Sequence, residues 1–278
     1  MTALSAFSAL ICLYHKNDPD EVRAALESAI IDQDHPPSEL VAVFDGPVSR
    51  QIEAVIDEMT QYVGVKKVYF AENRGHGPAR AAGIDHTSYE WSAVIDADDI
   101  SLPDRFSQLF AAAAMFPQAA VIGAGLTEFH ETPDGRQVGS TRFYPQSPEE
   151  TTAYLQTRSP VAQPTAIVRV AAIQQVGNYQ SWYNNEDYHL WIRLTVAGYE
   201  IRNIPTSVLL FRTSPDLYAR RGGFIYWLNE ARLQRYSLSQ GTTTWPRMIL
   251  GVSLRFVVQV LLPNALRESF YRKCLRKT

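Results

Sequence analysis

Two cysteines in 278 residues, Cys12 and Cys274, are too few and too far apart for a disulfide framework or a zinc site. No uninterrupted apolar run reaches the roughly twenty residues that a bilayer-crossing helix needs. No charged segment leads into a long apolar run at the start, so no secretory leader is expected. There is no internal repeat, no low-complexity stretch and no basic patch in the body suited to nucleic acid. Nor does the chain carry a Ser-His-Asp or Cys-His constellation that would supply a protein nucleophile. What remains is a globular protein suited to a reducing cytoplasm, 46% hydrophobic and 20% charged, long enough for one large domain plus an extension. Its net charge of −3 is uneven. From Pro246 to Thr278 there are seven Lys/Arg and one Glu, or +6, so the rest carries −9.

Against these absences stands Val94-Ile95-Asp96-Ala97-Asp98-Asp99-Ile100. An apolar run that spills three carboxylates reads as a buried strand ending in a crevice. Like charges so close raise one another's pKa unless a cation sits among them, and a hard divalent ion prefers such oxygens. The plainer reading is a solvated acidic turn before a helix opened by Pro103. The companions of this stretch separate the two readings.

Strands are expected at Phe7–Tyr14, Leu40–Phe44, Val65–Phe70 and Glu90–Ile95. Helices alternate with them. One starts at Asp18-Pro19-Asp20-Glu21, with Asp18 as N-cap and Glu21 completing a capping box. Another spans Val48–Tyr62, and a small-residue helix over Ala79–Ile84 follows the glycine-rich turn Asn73 to Pro78. This alternation predicts a parallel sheet with helices on both faces, whose ligands bind beyond the carboxyl ends of the strands. Tyr14, Asp45, Gly75 to Gly77 and Asp96 to Asp99 all follow strand ends, so they are expected on one rim. The second half is more mixed. Strands are expected at Ala119–Phe129, Gln137–Tyr144, Thr165–Val168, Ile201–Asn203 and Ser207–Phe211, and mainly helix from Asp216 onward. A helix after Asn185 runs to about Ala197, with Gly198 as its C-terminal stop.

That helix opens Glu186-Asp187. Asp187 shares a face with Leu190, Trp191 and Leu194, so its carboxylate points toward the protein body. Glu186 fits an ordinary first-turn acid favoured by the helix dipole. The same dipole would lower the Asp187 pKa, keeping it ionised and able to take a proton.

Taken together, Ser8 to Tyr14, Ile30 with Gln33, Val43-Phe44-Asp45-Gly46, Asn73 to Gly83, Asp96 to Asp99 with Pro103-Asp104-Arg105, and Glu186-Asp187 with Trp191-Ile192-Arg193 resemble family-2 glycosyltransferases in order and spacing. The likeness covers about residues 5 to 212. Leu217 to Lys277, with Ala219-Arg220-Arg221-Gly222-Gly223, further resembles a bacterial subgroup that builds exopolysaccharide, capsule or O-antigen. The resemblance implies a GT-A fold, a Rossmann-like mixed sheet flanked by helices. Residues 1–100 would bind the nucleotide sugar, 101–215 the acceptor, and 216–278 would form a helical extension. It implies inverting transfer from a UDP-sugar to a glycan or a polyprenyl-diphosphate-linked oligosaccharide, with Mn²⁺ or Mg²⁺. Tyr14 would stack on the base and Asp45 would accept its ring N–H. Arg80 would lie near the donor, and Asp96 and Asp98 would hold ribose and the metal-diphosphate unit. Asp98 or Asp99 would ligate the metal, and Asp187 would be the base. Departures from the family pattern are Phe44 in place of an acid, Val94-Ile95 before the acids, and Cys12, read as a small buried hydrophobe.

Met248 to Leu262 is apolar but short and interrupted, and Arg267, Arg272, Lys273, Arg276 and Lys277 follow Pro263. Two placements suit it: along the inner face of the plasma membrane, or packed on the catalytic domain. Arg220-Arg221 could meet an acceptor diphosphate. Two other functions fit acids at strand ends. A nucleotidyltransferase would want glycines after the first strand, and Tyr14-His15-Lys16-Asn17 has none. A non-catalytic sugar- or partner-binding module would have no use for a base.

Overall fold

The computed structural model describes residues 5–213 and 222–263. The first hundred residues follow the expected alternation. β1 (Ser8–Leu13), β2 (Glu39–Phe44), β3 (Gly64–Tyr69) and β4 (Trp91–Ile95) lie side by side in the order β3-β2-β1-β4, all parallel. Between them run α1 (Pro19–Leu26, prolonged by one wider turn to Ile31), α2 (Arg50–Met59) and α3 (His76–His86).

Strand alternation sorts the core into two layers. Ala9, Ile11 and Leu13 face α1, α2 and α4 (Arg105–Met115). Leu10, Val41 and Val94 face α3, α6 (Val170–Gln175) and α7 (Glu186–Val196). A sheet apolar on both faces must be covered on both, which is why β1 and β2 are almost wholly buried.

The second half turns the sheet mixed. β8 (Ile167–Arg169) runs antiparallel to β4, and β6 (Ala119–Thr132) antiparallel to β8. β9 (Glu200–Arg212) is parallel to β6, and β7 (Gly135–Arg142) folds back on β6 through the two-residue turn Pro133-Asp134. The two strands expected over 201–211 are one strand carrying a bulge. Asn203 pairs with Gly123 and Ser207 with Gly125, so Pro205 sits where the ladder is already broken and its missing N–H costs nothing.

Two further expectations need correction. Helix α4 starts at Arg105, not at Pro103, which lies in a turn closed by Arg105 N–H on Leu102 O (3.0 Å). Asp18 caps α1 as expected, accepting from the N–H groups of Asp20 and Glu21, but Glu21 does not close a box. Its Oε1 lies 3.3 Å from Arg212 Nε instead. The short elements β5 (Ile100–Ser101), α5 (Pro148–Leu155) and α6 were not foreseen. The C-terminal end of α7 is as expected. Gly198 (φ +85°) closes it, with Tyr199 N–H on Leu194 O and Gly198 N–H on Thr195 O.

Beyond β9, a hairpin of α8 (Phe224–Ser239) and α9 (Trp245–Phe256, prolonged by a wider turn to Leu261) packs against the body. Among the described residues no helix is long and apolar enough to cross a membrane. Leu217, Arg220, Arg221 and the basic residues after Pro263 lie outside the described residues.

Candidate active site

β1 and β2 end level with each other and β4 two residues earlier, opposite Ile11, and the three deliver Tyr14, Asp45 and Asp96 to one rim. Asp45 is buried, and its carboxylate holds the glycine-rich turn. Arg74 N–H donates to Oδ1 (2.6 Å) and Gly75 N–H to Oδ2 (2.9 Å), while Asn73 Nδ2 donates to its carbonyl (3.1 Å). Each oxygen keeps a further lone pair for a ligand. Gly46 is required beside it: its φ is +84°, and a Cβ there would lie 2.8 Å from Asn73 N. A cavity of about 250 Å³ opens here, lined by Cys12, Tyr14, Lys16, Asp45, Gly75 and His76 among others. Cys12 is not the small buried hydrophobe expected: it is partly buried and lines this cavity, though desolvation pushes its thiol up to about 12, so it stays neutral.

Arg80, on the next turn of α3, is almost wholly buried and joins the two acidic stretches. Its Nη2 lies 3.2 Å from Asp96 Oδ1, and its Nη1 donates to Glu186 Oε1. Burial opposes the Arg80 charge, but Glu186 and Asp96 outweigh it and raise the guanidinium pKa. Strand β4 and the head of α7 are thus separated by one side chain. Glu186 stands in the first turn of α7, as expected, but it is more than a helix-dipole partner: it is 7% exposed and committed to this pair. Its partner stands 106 residues upstream, where helical spacing carries no signal.

Asp187 follows Glu186 and stands half-buried, above Leu190, Trp191 and Leu194, which are fully buried. Its Oδ1 accepts from Tyr188 N–H (2.7 Å). The expectation of a lowered pKa is overturned. Burial and then Glu186 push the carboxyl up to about 7, against the opposing pull of Arg80. A group poised near neutrality suits proton abstraction better than a fully acidic one.

The three rim acids differ. Asp96 is paired with Arg80. Asp99 is 3% exposed and turned inward: its Oδ1 accepts from Arg212 N–H (2.8 Å), and its Oδ2 is buried with no partner among the described residues. Burial, Asp96 and Asp98 raise its pKa, with Arg212 and Arg105 opposing. Asp98 is half-buried and forms no ion pair among the described residues; burial, Asp96 and Glu21 push it up to about 6. Arg80, Arg105 and Arg212 all reach this corner, yet Asp98 and Asp99 keep raised pKa values, which a divalent cation would offset. Among the described residues no three such groups converge to hold a metal by themselves, so Asp98 or Asp99 would share it with a bound diphosphate. Arg212, missed in the sequence, ties the corner together: its Nε donates to Asp98 O (2.8 Å) beside Glu21.

Gly77 brings α3 against the segment that leads into α7. A Cβ there would lie 2.2 Å from Gln180 O. Gly77→Ala is expected to destabilise the fold by about 1–3 kcal/mol through overpacking. A urea midpoint equal to wild type would show that these segments are not in contact.

The model of the family described as "Glycosyl transferase family 2" matches residues 8–177. An uncharacterised glycosyltransferase of Haemophilus influenzae is 31% identical over 98% of this chain and 99% of its own length. The amylovoran biosynthesis glycosyltransferase AmsE of Erwinia amylovora is 29% identical over 96% and 98%. A UDP-Gal:α-D-GlcNAc-diphosphoundecaprenol β-1,3-galactosyltransferase of Escherichia coli is 27% identical over 98% and 97%. Among solved structures, the mannosyltransferase PcManGT of Pyrobaculum calidifontis, in complex with GDP-Man and Mn²⁺, superposes with a TM-score of 0.62 at 14% identity, over 99% of this chain and 82% of that one. The architecture is GT-A, as the resemblance implied. With the family model spanning most of the sheet and relatives aligned over nearly its whole length, the chain belongs to glycosyl transferase family 2 and is a sugar-transferring enzyme.

Proposed function

We propose that this enzyme moves a sugar from a nucleoside-diphosphate sugar, with UDP as the nucleotide, onto a hydroxyl of a lipid-linked glycan during surface-polysaccharide synthesis, with inversion at the anomeric carbon. One observation carries the reading: Arg80 joins Asp96 on the donor rim to Glu186, the neighbour of Asp187, so donor and base meet across a single guanidinium. The Escherichia coli relative is named for UDP-galactose and a diphosphoundecaprenol acceptor, which supports the choice of donor and acceptor class.

In this reading Tyr14 stacks on the base, Asp45 accepts its ring N–H with the lone pairs its backbone contacts leave free, and Asp96 orients the ribose. Asp98 is the metal ligand of the pair, because Asp99 is 3% exposed and turned inward onto Arg212 N–H while Asp98 is half-buried and forms no ion pair among the described residues. A bound Mn²⁺ or Mg²⁺ would neutralise charge on the departing diphosphate. Asp187 takes the proton of the acceptor hydroxyl as its oxygen bonds to the anomeric carbon and the bond to the diphosphate oxygen breaks. No protein nucleophile takes part. Residues 1–100 serve the donor, 101–215 the acceptor, and 216–278 sit peripherally on the inner membrane face.

Asp98→Asn is expected to lower turnover by about 10²–10³-fold, the usual loss when transition-state charge stabilisation is removed. It should also abolish the response to added Mn²⁺. The measurement is release of UDP from a panel of UDP-sugars with a detergent-dispersed lipid-diphosphate acceptor. A variant with wild-type turnover and metal response would overturn the assignment of Asp98. A wild-type protein that binds donor without turnover would return the non-catalytic reading.

A further inference from the structure

The C-terminal hairpin divides its surfaces between two environments. α8 belongs to the body: Leu233 is fully buried, and Tyr236 packs on His189 and Trp182 of the segment carrying Asp187 (ring centroids 4.5 and 5.6 Å). From Trp245 to Phe256 α9 has no buried residue. Its inner side is pinned by Trp227 Nε1 on Val252 O (3.0 Å), by Arg255 against Glu230 (3.2 Å), and by Arg255 on Thr157 O. Its outer side shows Trp245, Ile249, Leu250, Leu254, Val257 and Leu261, each 46–63% exposed. Gly223 N–H on Gln259 O brings the start of α8, with exposed Phe224, Ile225 and Leu228, alongside the far end of this stripe. These nine residues are over half of the seventeen large apolar side chains exposed among the described residues. A concentration of this kind marks a surface that is covered in use.

Charge identifies what covers it. No Asp or Glu occurs from Gly241 to Pro263, and Glu230 of α8 is already paired. Arg247 is exposed beside the stripe, and the fifteen residues after Pro263 hold five Lys/Arg and one Glu. A second copy docked face to face would bring no acid of this hairpin face to meet Arg247. Anionic headgroups answer the basic composition of this end of the chain, and the adjoining acyl chains take the apolar stripe.

We propose that the outer face of the α8–α9 hairpin is a membrane-surface anchor that lies in the headgroup boundary of an anionic bilayer. The inference deepens the reading above and rests on it for an acceptor presented at a membrane. The aromatic stack of Trp182, His189 and Tyr236 then holds the helix of Asp187 at a fixed setting relative to that surface.

The test is sedimentation of the full chain with vesicles of phosphatidylglycerol and phosphatidylcholine, or of phosphatidylcholine alone. Wild type is expected to favour the anionic vesicles and to release in high salt. The double variant Ile249→Glu/Leu254→Glu should bind them roughly tenfold or more weakly. Its circular dichroism and its turnover on a short-chain, water-soluble acceptor should match wild type, since both positions are exposed. Equal binding by the variant, or no binding by wild type, overturns the anchor. So does a wild-type dimer, measured by light scattering, that the variant converts to monomer, since a second copy would then occupy the face. Vesicle binding without transfer to any lipid-linked acceptor in detergent would sink the function proposed above and leave the anchor standing.

Discussion

Asp187→Asn is expected to lower kcat by about 10²–10⁴-fold, the usual contribution of a positioned general base, and to raise the melting temperature at the same time. Asparagine keeps the shape and can still face Tyr188 N–H, but it cannot take a proton. The gain in stability follows from linkage. The carboxyl has a usual value of 3.8 in the unfolded chain and is pushed up to about 7 in the fold. Between those values the folded state holds more protons, so stability declines as pH rises through the window and the penalty is complete above it. The variant carries no charge to desolvate. It should melt above wild type beyond pH 7, and the two curves should converge near 3.8. Loss of activity with loss of stability would indicate a structural acid instead.

The same balance sets the pH profile. Wild-type kcat should fall roughly tenfold per pH unit below about 7, because only the ionised carboxylate accepts a proton. Glu186 raises the Asp187 pKa, so Glu186→Gln should move that limb to lower pH. A profile that does not move would show that Glu186 exerts no field on the base.

What could be read from the sequence was local. The Asp18 cap, the Gly198 stop, the parallel run of the first four strands and the delivery of Asp45 and Asp96 to strand ends all rest on neighbours in the chain. They follow from turn chemistry and apolar periodicity. What could not be read depends on partners brought together by the sheet. Glu21 has the spacing of a capping box, yet its carboxylate answers to Arg212 from β9. Glu186 has the place of a first-turn acid favoured by the helix dipole, yet its carboxylate is buried against Arg80 of α3. The sign of the Asp187 shift was misjudged for the same reason: the helix dipole is a local effect, while burial and Glu186 act through the tertiary structure and outweigh it. Asp98 and Asp99 are adjacent and alike in sequence. Only the backbone turn into β5 exposes the first and buries the second.

Arg80→Met is expected to destabilise the fold by about 3–5 kcal/mol, the cost of leaving a buried charge without its partner. Two features place Arg80 in that class. It and Glu186 have side chains only 7% and 9% exposed, and the guanidinium serves Asp96 with its other arm. The exposed pair Arg23–Glu58, with 37% and 44% of each side chain in solvent, contrasts with it; there Arg23→Gln should leave the urea midpoint unchanged, because water screens the pair. Adding Glu186→Gln to Arg80→Met removes the orphaned carboxylate and should recover part of the lost stability, giving a coupling energy that the two single variants do not predict. Kinetics separate this role from simple support. Without the Arg80 charge the Asp187 carboxyl holds its proton more tightly, so the acid limb of kcat should move to higher pH, opposite to the shift in Glu186→Gln. Arg80→Lys keeps the charge but has no fork to span Asp96 and Glu186, so it should preserve the limb while losing stability. A midpoint for Arg80→Met within the scatter of wild type, or a limb that stays in place, would mean that Arg80 does not join donor rim and base. The proposed arrangement of the active site would then fail with it.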